Sequence, residues 1–376
     1  MKKRILSLFF AICILSSLAA CATQDEVLST GTLGIEHEEQ FGGVYLHVTI
    51  DDFLSLGFDY GDSVDIRFSN GYVMEAIPFY SGYYTGAGEA LLCAYPGYPY
   101  VDACINFGGD LFTTAALNTS DTAVVTLHKK AAFLPIEEAL HMKYSNERTD
   151  FASDEAFANF RVIRLAHLPE KLIYRSASPC DDQYNRASYV SALAEQAGIV
   201  YILDLADDEK ELRAYYEDES LSCPYWKQLY EAGNILALDM SANYHDQNYA
   251  ASVAALTKAL CEQQGPFLIH CTEGKDRTGF VCLLVEILAG ASYEELRDDY
   301  MKTYDNYYGI TRESNAASYD AVVRVKFNDM LQYLCETDDP TQLTPEQLTA
   351  GAEKYLSFGG ATDTEIQTLK NALSEN

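Results

Sequence analysis

The stretch FLIHCTEGKDRTGF, residues 267–280, decides how this sequence folds. An apolar run ends at His270, and a cysteine, Cys271, follows it directly. From Arg277 onward the sequence RTGFVCLLVEILAG has the apolar spacing of a helix and stops near Gly290. The pattern predicts a buried strand, a short loop that carries the cysteine, and a helix that begins around Arg277.

Strands and helices alternate in the sequence that precedes this loop. IVYILDLA at 199–206, NILALDM at 234–240 and PFLIH at 266–270 are predicted strands, and the helical sequence at 249–264 separates the last two. This alternation predicts an α/β domain with a central, mainly parallel sheet flanked by helices. Ligands of such sheets bind beyond the carboxyl ends of the strands, which is where Cys271 is expected to lie.

A thiol in a strand-to-helix loop is equipped to attack a bound phosphate. The backbone N–H groups of the loop can form an anion-binding nest, and the helix N-terminus adds partial positive charge. Both features favour the thiolate form of a cysteine. We interpret Cys271 as the nucleophile and Arg277, with its planar guanidinium, as the phosphate ligand. No metal and no cofactor are expected.

Residues 270–279 resemble the signature of the cysteine-dependent protein tyrosine and dual-specificity phosphatases, His-Cys-x5-Arg-Ser/Thr-Gly. The Gly-Lys-Asp-Arg-Thr-Gly form is similar to an atypical bacterial branch whose members act on phosphotyrosine and on phosphoinositides. LIYRSASP at 172–179 and AGIVYILDLADDEKE at 197–211 also resemble this branch, although Ala206 stands where the branch usually has Arg. The resemblance covers about residues 150–310.

This resemblance implies a role for each residue of the loop. Cys271 would form a phosphocysteine, Arg277 would bind the phosphate, and Thr278 would hydrogen-bond the thiolate. His270 would orient the loop. The other residues of the phosphate-binding loop are Thr272, Glu273, Gly274, Lys275, Asp276 and Gly279. Lys275 adds positive charge at the mouth of the site, which suits a highly phosphorylated or lipid headgroup.

The family also implies a general acid that protonates the leaving oxygen, on a loop about thirty residues before the cysteine. Asp239 lies at this distance, so we assign it as the acid, with Asp246 as the runner-up. In the atypical branch the candidates are Asp276 inside the loop and the Asp-Leu-x stretch with Asp204 and Asp207. These alternatives stay open.

Residues 41–130 have a different texture, with short β-branched and aromatic runs between turn signals, and they predict a small all-β barrel domain. FGGVYLHVTIDDFLSLGFDYGDSVDIRF at 41–68 and INFGGDLFTTAALNTSDTAVVTL at 105–127 resemble the C-terminal β-barrel of S-adenosylmethionine hydroxide adenosyltransferases. The catalytic half of that family is missing here, so the resemblance implies a fold and no activity.

The remaining boundaries follow from these two domains. Residues 131–376 are predicted to form the tyrosine-phosphatase-like catalytic domain with a helical C-terminal extension. Three capping boxes predict helix starts in that extension: Ser292 with Glu295, Thr344 with Gln347, and Thr362 with Glu365.

The N-terminus, MKKRILSLFFAICILSSLAAC at 1–21, has the basic, apolar and small-residue segments of a signal peptide. Residues 18–21, LAAC, resemble the lipobox of bacterial lipoproteins. The resemblance implies that Cys21 is lipidated and anchors the protein to the outer face of the cell membrane. The polar residues 22–40 are predicted to be a flexible tether.

The composition limits the partners of this chain. Its 376 residues carry a formal net charge of −30, which argues against nucleic acid. We expect a phosphomonoester hydrolase, most simply a protein-tyrosine or dual-specificity phosphatase acting on a phosphorylated protein. Alternatives are a phosphoinositide or inositol polyphosphate phosphatase, and a surface lipoprotein that binds phosphorylated ligands with weak or no turnover. Cys93 and Cys104 could bridge a hairpin, but most cysteines are expected to be buried thiols.

Overall fold

The computed structural model describes residues 28–165, 169 and 172–374. The predicted signal peptide, Cys21 and the first part of the predicted tether lie outside these residues. Within the described ranges, no helix has both the length and the apolar character needed to span a bilayer.

The N-terminal part of the described chain is a closed barrel, so the predicted barrel is confirmed. Its seven strands have the spatial order β1-β2-β6-β5-β4-β3-β7. The strands are β1 Leu33–Glu38, β2 Gly43–Leu46, β3 Ser63–Phe68, β4 Val73–Tyr80, β5 Ala90–Cys93, β6 Val101–Ile105 and β7 Thr122–Lys129. Two short helices accompany them, α1 Ile50–Ser55 and α2 Leu111–Thr114.

Strand β1 falls inside the segment 22–40 that was predicted to be a flexible tether, and that part of the prediction is wrong. Ile35 is buried in the barrel core, and it pairs with Leu46 of β2. The acidic character of the segment concealed the alternation of Leu33 and Ile35 with polar or small neighbours. Such alternation is the pattern of a half-buried strand.

The second sheet has five strands in the order β11-β10-β12-β9-β8. They are β8 Arg161–Val162, β9 Ile173–Ser176, β10 Tyr201–Asp204, β11 Ile235–Ala237 and β12 Phe267–His270. Strands β9, β12, β10 and β11 run parallel to one another, and only β8 is antiparallel to its neighbour. The sheet is therefore mainly parallel, as predicted.

The register of this sheet brings four strand ends to one edge. His270 at the end of β12 lies opposite Ser176 of β9 and opposite Asp204 of β10. Asp204 in turn lies opposite Ala237 of β11. The loops that leave these four positions converge, and they include the cysteine loop.

Helices cover both faces of the sheet. They are α3 Leu134–Leu140, α4 Asp154–Phe157, α5 Ala187–Ala197, α6 Glu209–Glu217, α7 Pro224–Glu231, α8 Gln247–Glu262, α9 Asp276–Leu288, α10 Tyr293–Tyr308, α11 Ala316–Val322, α12 Asn328–Cys335, α13 Pro345–Phe358 and α14 Asp363–Leu373. A π-helical turn, Val323–Phe327, joins α11 to α12. The three predicted capping boxes open α10, α13 and α14.

The cysteines of the described residues all carry free thiols. Cys93 and Cys104 lie on adjacent strands but are not directly opposite, because Cys93 faces Asp102 and Cys104 faces Leu91. Both side chains are buried, which agrees with their expected role as small apolar residues.

Candidate active site

The cysteine loop lies between β12 and α9, at the carboxyl edge of the parallel sheet. Cys271 is only 3% exposed. The strand end beside it is fixed by the N–H of Leu205, which donates to the His270 carbonyl at 2.9 Å. On the other side, the N–H of Ser178 donates to the Thr272 carbonyl at 3.2 Å. The loops after β10 and β9 therefore hold both flanks of the cysteine.

Gly274 is the point where the loop turns back on itself. Its φ is +67°, a left-handed conformation that side chains other than glycine rarely adopt. A Cβ atom at this position would lie 2.1 Å from the carbonyl oxygen of Ser176. The Gly274 carbonyl accepts hydrogen bonds from Arg175 Nη2 and Asn159 Nδ2, both at 3.1 Å. This carbonyl is thus turned toward Arg175 and Asn159. In such a turn, the N–H groups of the loop can face an anion.

A buried charge network supports the loop from below. Arg175 Nη1 donates to Asp299 Oδ2 at 2.6 Å, and Arg161 Nε donates to Asp299 Oδ1 at 2.8 Å. Although burial alone would raise the pKa of Asp299, the two guanidinium groups hold it well below the usual range. Glu286 is buried nearby, and burial together with the Asp299 charge raises its pKa well above the usual range. Glu286 therefore favours its protonated form, and the two arginines pair with Asp299.

The start of α9 packs closely against the loop. Thr278 is fully buried, and its hydroxyl has no hydrogen-bond partner among the described residues. Gly279 faces Tyr300, whose ring would lie 3.0 Å from a Cβ at this position. A glycine here lets the helix N-terminus approach the rest of the fold, while the Thr278 hydroxyl stays available to the thiolate or the phosphate.

Arg277 folds over the loop rather than into solvent. Its Nη2 donates to Thr272 Oγ1 at 3.0 Å, and its Nη1 donates to the Met240 carbonyl at 3.1 Å. Met240 belongs to the segment that follows β11, so the guanidinium joins this segment to the cysteine loop. Arg277 therefore contacts Thr272, the residue that follows Cys271.

Asp239, the predicted general acid, is the residue before Met240. Its backbone has a φ of +41°, and its N–H donates to the Asp207 carbonyl at 3.3 Å. The side chain is exposed. Asp239 is thus carried by the segment that contacts Arg277.

The other predicted acids have different surroundings. Asp246 is the N-cap of α8, where its carboxylate accepts the N–H of Asn248. Asp276 is exposed at the first turn of α9, and its Oδ2 lies 3.7 Å from Lys275 Nζ. Asp246 thus has a capping role that explains it without catalysis, whereas Asp276 stays at the loop.

Asp204 and Asp207 form a buried pair beside His270. Burial raises the pKa of Asp204 to about 7, and burial together with the neighbouring Asp204 raises that of Asp207 to about 8. His270 Nε2 lies 3.5 Å from Asp204 Oδ2, and burial lowers the pKa of this histidine to about 4. At neutral pH the histidine is therefore uncharged, and the two carboxyl groups bind protons more readily than ordinary aspartates.

Cys180 lies beside the carboxyl pair of Asp204 and Asp207, a proximity that the sequence did not predict. Within the described ranges, the Cys180 thiol and one oxygen each of Asp204 and Asp207 lie within 4.8 Å of one another, a spacing that could hold a metal ion. The raised pKa values of the two carboxyls favour the alternative of a shared proton, because a protonated carboxyl is a poor ligand.

Lys275 lies at the mouth of the loop. Its Nζ is 3.3 Å from Glu273 Oε2, and Glu273 also accepts a hydrogen bond from the Tyr144 hydroxyl. Burial would lower the pKa of Lys275, but Asp276 and Glu273 outweigh it and raise that pKa well above the usual range. The ammonium therefore stays charged beside the loop.

Four tyrosines form an aromatic wall on the same side of the loop. Tyr144 stacks on Tyr307 with ring centroids 4.9 Å apart, and it meets Tyr308 and Tyr184 edge-on at 5.4 and 6.2 Å. The Tyr307 hydroxyl donates to the Glu273 carbonyl at 2.6 Å. The buried guanidinium of Arg186 lies 4.9 Å from the Tyr144 ring centroid. The wall is therefore a rigid part of the site.

Several of these residues escaped the sequence reasoning. Arg175 is part of the motif LIYRSASP, and an arginine at the end of a buried strand by itself indicates a buried, paired charge. Asp299, Arg161 and Tyr144 have no local signal, because their partners lie far away in the sequence.

A buried thiol in a loop at a helix N-terminus, with a guanidinium hydrogen-bonded to the next residue of that loop, can hold a tetrahedral oxyanion and attack its central atom. Such an arrangement suits a protein that binds and transfers phosphoryl groups. The tyrosine phosphatase family model matches residues 159–375. Because the match spans more than half of the chain, the chain belongs to the tyrosine phosphatase family.

One curated relative supports this assignment at lower coverage. A tyrosine-protein phosphatase of Nostoc commune is 29% identical over 120 residues, which make up 30% of this chain and 41% of the relative. This chain therefore spans less than half of the length of that curated relative.

Two solved structures show weaker similarity. The core catalytic domain of the PP-IP phosphatase SIW14 from S. cerevisiae, in complex with citrate, is 21% identical. The match covers 50% of this chain and 96% of that one, with a TM-score of 0.26. An uncharacterized conserved protein from Thermotoga maritima is 19% identical over 25% of this chain and 35% of that one, with a TM-score of 0.22. Both TM-scores lie below 0.5. The resemblance of the barrel to the adenosyltransferases stays a prediction.

Proposed function

We propose that this chain is a phosphomonoester hydrolase that works through a phosphocysteine on Cys271 and acts on phosphotyrosine in proteins. The observation that carries the proposal is the loop itself. Cys271 is a buried thiol between β12 and α9, and the Arg277 guanidinium donates to Thr272, the residue that follows the cysteine. Membership of the tyrosine phosphatase family supports the same chemistry.

In the first step, the Cys271 thiolate attacks the phosphorus, and the bond from phosphorus to the leaving oxygen breaks. Arg277 and the loop N–H groups bind the equatorial oxygens and stabilise their charge. A carboxylic acid donates its proton to the leaving oxygen, so the product departs as a neutral alcohol or phenol. We propose Asp239 for this role, supported by its place next to Met240, whose carbonyl meets Arg277.

In the second step, water attacks the phosphocysteine and the bond from phosphorus to sulfur breaks. The carboxylate left by the first step takes a proton from this water. Inorganic phosphate is released, and the thiolate is regenerated. The Thr278 hydroxyl can donate to the departing sulfur, since it has no other partner among the described residues.

The aromatic wall favours an aryl phosphate as substrate. Tyr144, Tyr184 and Tyr308 are half-buried beside the loop, where a substrate ring can pack against their rings. The second candidate is a phosphoinositide or inositol phosphate. Lys275 favours it, because a charged ammonium at the mouth can bind an additional phosphate group.

The nucleophile is tested by Cys271→Ser, with Cys261→Ser as the matched control on the half-exposed part of α8. We expect the first variant to lose turnover of p-nitrophenyl phosphate while it still binds inorganic phosphate, because a serine hydroxyl is not ionised at neutral pH. The control should keep full turnover. Acid-quenched mass spectrometry during turnover should find a phosphoryl group on Cys271 in the wild type only. Turnover by Cys271→Ser near the wild-type rate would refute this chemistry.

The substrate is tested by a panel at equal concentration. A phosphotyrosine peptide should be hydrolysed with a higher kcat/KM than a phosphoserine peptide, a phosphoinositide in vesicles or an inositol polyphosphate. A preference for the inositol compounds would support the second candidate. Binding of phosphorylated ligands without turnover by the wild type would instead indicate a ligand-binding lipoprotein.

We also propose that the protein is extracytoplasmic and tethered to the membrane by a lipid on Cys21. The lipobox-like residues 18–21 support this location. Cys21→Ala should move the protein from the membrane fraction to the soluble fraction, because lipid attachment provides the anchor. Unchanged membrane retention of this variant would contradict the proposal.

A further inference from the structure

The segment of residues 238–246, between β11 and α8, is fixed to the sheet at its beginning. The N–H of Leu238 donates to the Asp204 carbonyl, and the N–H of Met240 donates to the Leu205 carbonyl, both at 2.9 Å. These bonds hold the backbone at Leu238 and at Met240, whose carbonyl accepts a hydrogen bond from Arg277.

The end of the same segment contacts the barrel. The Phe107 ring stacks on His245, with centroids 5.8 Å apart and an interplanar angle of 20°. It also lies 5.5 Å from the Tyr244 ring. His245 also packs against Tyr333 of α12, with ring centroids 3.9 Å apart. The end of the segment is thus held between an aromatic residue of the barrel and one of the catalytic domain.

Phe107 reaches this position through an unusual backbone conformation. It follows β6 with a φ of +45°, a region that is costly for a large side chain. Strained residues of this kind persist only where the surrounding structure holds them, and they are frequent at functional contacts. Phe107 as a residue is still 36% exposed, so burial in the barrel core does not explain the placement of its side chain.

Asp329 makes a second, independent connection between the barrel and the segment. Its Oδ1 accepts the N–H of Ala87 in the barrel at 2.9 Å, and its Oδ2 accepts the hydroxyl of Tyr244. Lys326 Nζ, on the adjoining π-helical turn, donates to the Tyr83 carbonyl of the barrel at 2.8 Å. π-helical turns are frequent at functional sites. A bare contact between two domains would permit relative motion, whereas these bonds oppose it.

We propose that the barrel clamps the segment 238–246 and is thereby part of the catalytic unit. The clamp consists of Phe107 of the barrel and of Asp329 of α12, which binds both Ala87 of the barrel and Tyr244 of the segment. The proposal rests on the proposed function, since its consequence is the position of Asp239 during proton transfer. Phe107 and Asp329 are positioning residues, and neither is expected to touch the substrate. The backbone bonds of Leu238 and Met240 keep Arg277 in place. Asp239 between them has an exposed carboxyl and a strained φ of +41°, a conformation that persists only while the surrounding chain is held. The clamp holds that chain at the end of the segment.

The test compares Phe107→Ala with Phe41→Ala, an exposed aromatic residue of the barrel, in the whole chain. In Phe107→Ala, kcat for an alkyl phosphate should fall by about tenfold to about a hundredfold, since small displacements of catalytic groups are costly. For p-nitrophenyl phosphate, whose leaving group needs little protonation, kcat should stay within about twofold, and so should inhibition by inorganic phosphate. Phe41→Ala should match the wild type in each assay.

Hydrogen exchange provides a readout that does not depend on activity. Peptides that cover residues 238–250 should exchange faster in Phe107→Ala than in the wild type or Phe41→Ala. Unchanged exchange would overturn the clamp. Failure of the proposed function would show itself differently, as absence of turnover by the wild type, and the exchange measurement does not depend on turnover. Faster exchange with unchanged leaving-group dependence would overturn the positioning role.

A double-mutant cycle with Tyr244→Phe and Asp329→Asn tests the second connection. Because the two side chains share one hydrogen bond, the loss of kcat in the double variant should not exceed that of the worse single variant by more than about twofold. Fully multiplicative losses would show that Asp329 does not act through Tyr244, and they would overturn its positioning role.

Discussion

Replacing Gly274 by alanine tests the geometry of the phosphate-binding loop most directly. Two costs combine at this position. The left-handed backbone costs a residue with a Cβ about 1–2 kcal/mol. The new Cβ would also lie 2.1 Å from the Ser176 carbonyl oxygen, which belongs to a strand end paired with His270 and cannot easily move. Overpacking of this kind adds about 1–3 kcal/mol. We therefore expect a total loss of about 2–5 kcal/mol in the free energy of unfolding.

Gly198 offers a matched control for the backbone cost alone. Its φ is +69°, and a Cβ there would meet nothing within 4 Å. Gly198→Ala should therefore lose only about 1–2 kcal/mol and keep kcat/KM within about twofold of the wild type. Gly274→Ala should lose at least about a hundredfold in kcat/KM, since the loop must shift away from Ser176.

Thermal or denaturant unfolding measures the stability difference, and hydrolysis of p-nitrophenyl phosphate measures the activity. The reasoning is refuted if the two variants are equally stable and Gly274→Ala keeps kcat/KM close to the wild-type value. That result would mean that the loop can form its anion site without the close approach of Gly274 to Ser176.

Three further predictions address the charged groups of the site. Arg277→Lys should lower kcat/KM by about 10²–10³-fold, because an ammonium cannot reproduce the two-pronged guanidinium, and a change below about tenfold would contradict its role. Asp207→Asn should flatten the pH dependence of unfolding. The raised pKa contributes stability that is fully present below the unfolded value of 3.8 and is lost as pH rises through about 8. Wild-type stability should therefore fall between about pH 5 and about pH 8 more than that of the variant, and parallel curves would contradict this. Asp239→Asn should reduce kcat by about 10²–10⁴-fold for an alkyl phosphate and far less for p-nitrophenyl phosphate. If Asp276→Asn shows this pattern instead, the general acid is Asp276 in the phosphate-binding loop.

The parts of the site that were predictable are local in sequence. Cys271 and Arg277 lie in one short loop between an apolar strand and an apolar helix, so the motif and its secondary structure could be read together. The barrel was predictable because its strands alternate in polarity and are separated by turn residues. Strand β1 was missed because its acidic residues hid the same alternation.

The support of the loop was not predictable, because it depends on contacts between distant residues. Arg175 and Asp299 are 124 positions apart in the sequence, and Tyr144 and Glu273 are 129 apart. Neither pair has a local pattern that identifies it. The same holds for the pair of Asp204 and Asp207, whose raised pKa values come from burial that only the fold reveals.

These contacts also bear on where substrate preference resides. The family match begins at residue 159, yet Tyr144 contacts the catalytic loop and Phe107 contacts the segment that carries Asp239. The residues that the family shares can explain how a phosphate is bound and attacked. Tyr144, at the mouth of the site, comes from the connection between the barrel and the family match. Phe107, which contacts the segment 238–246, comes from the barrel. A preference for one phosphorylated substrate over another is therefore expected to depend in part on residues outside the family match. Tyr144 would act on it by contact at the loop, and the barrel would act indirectly, through the segment that carries Asp239.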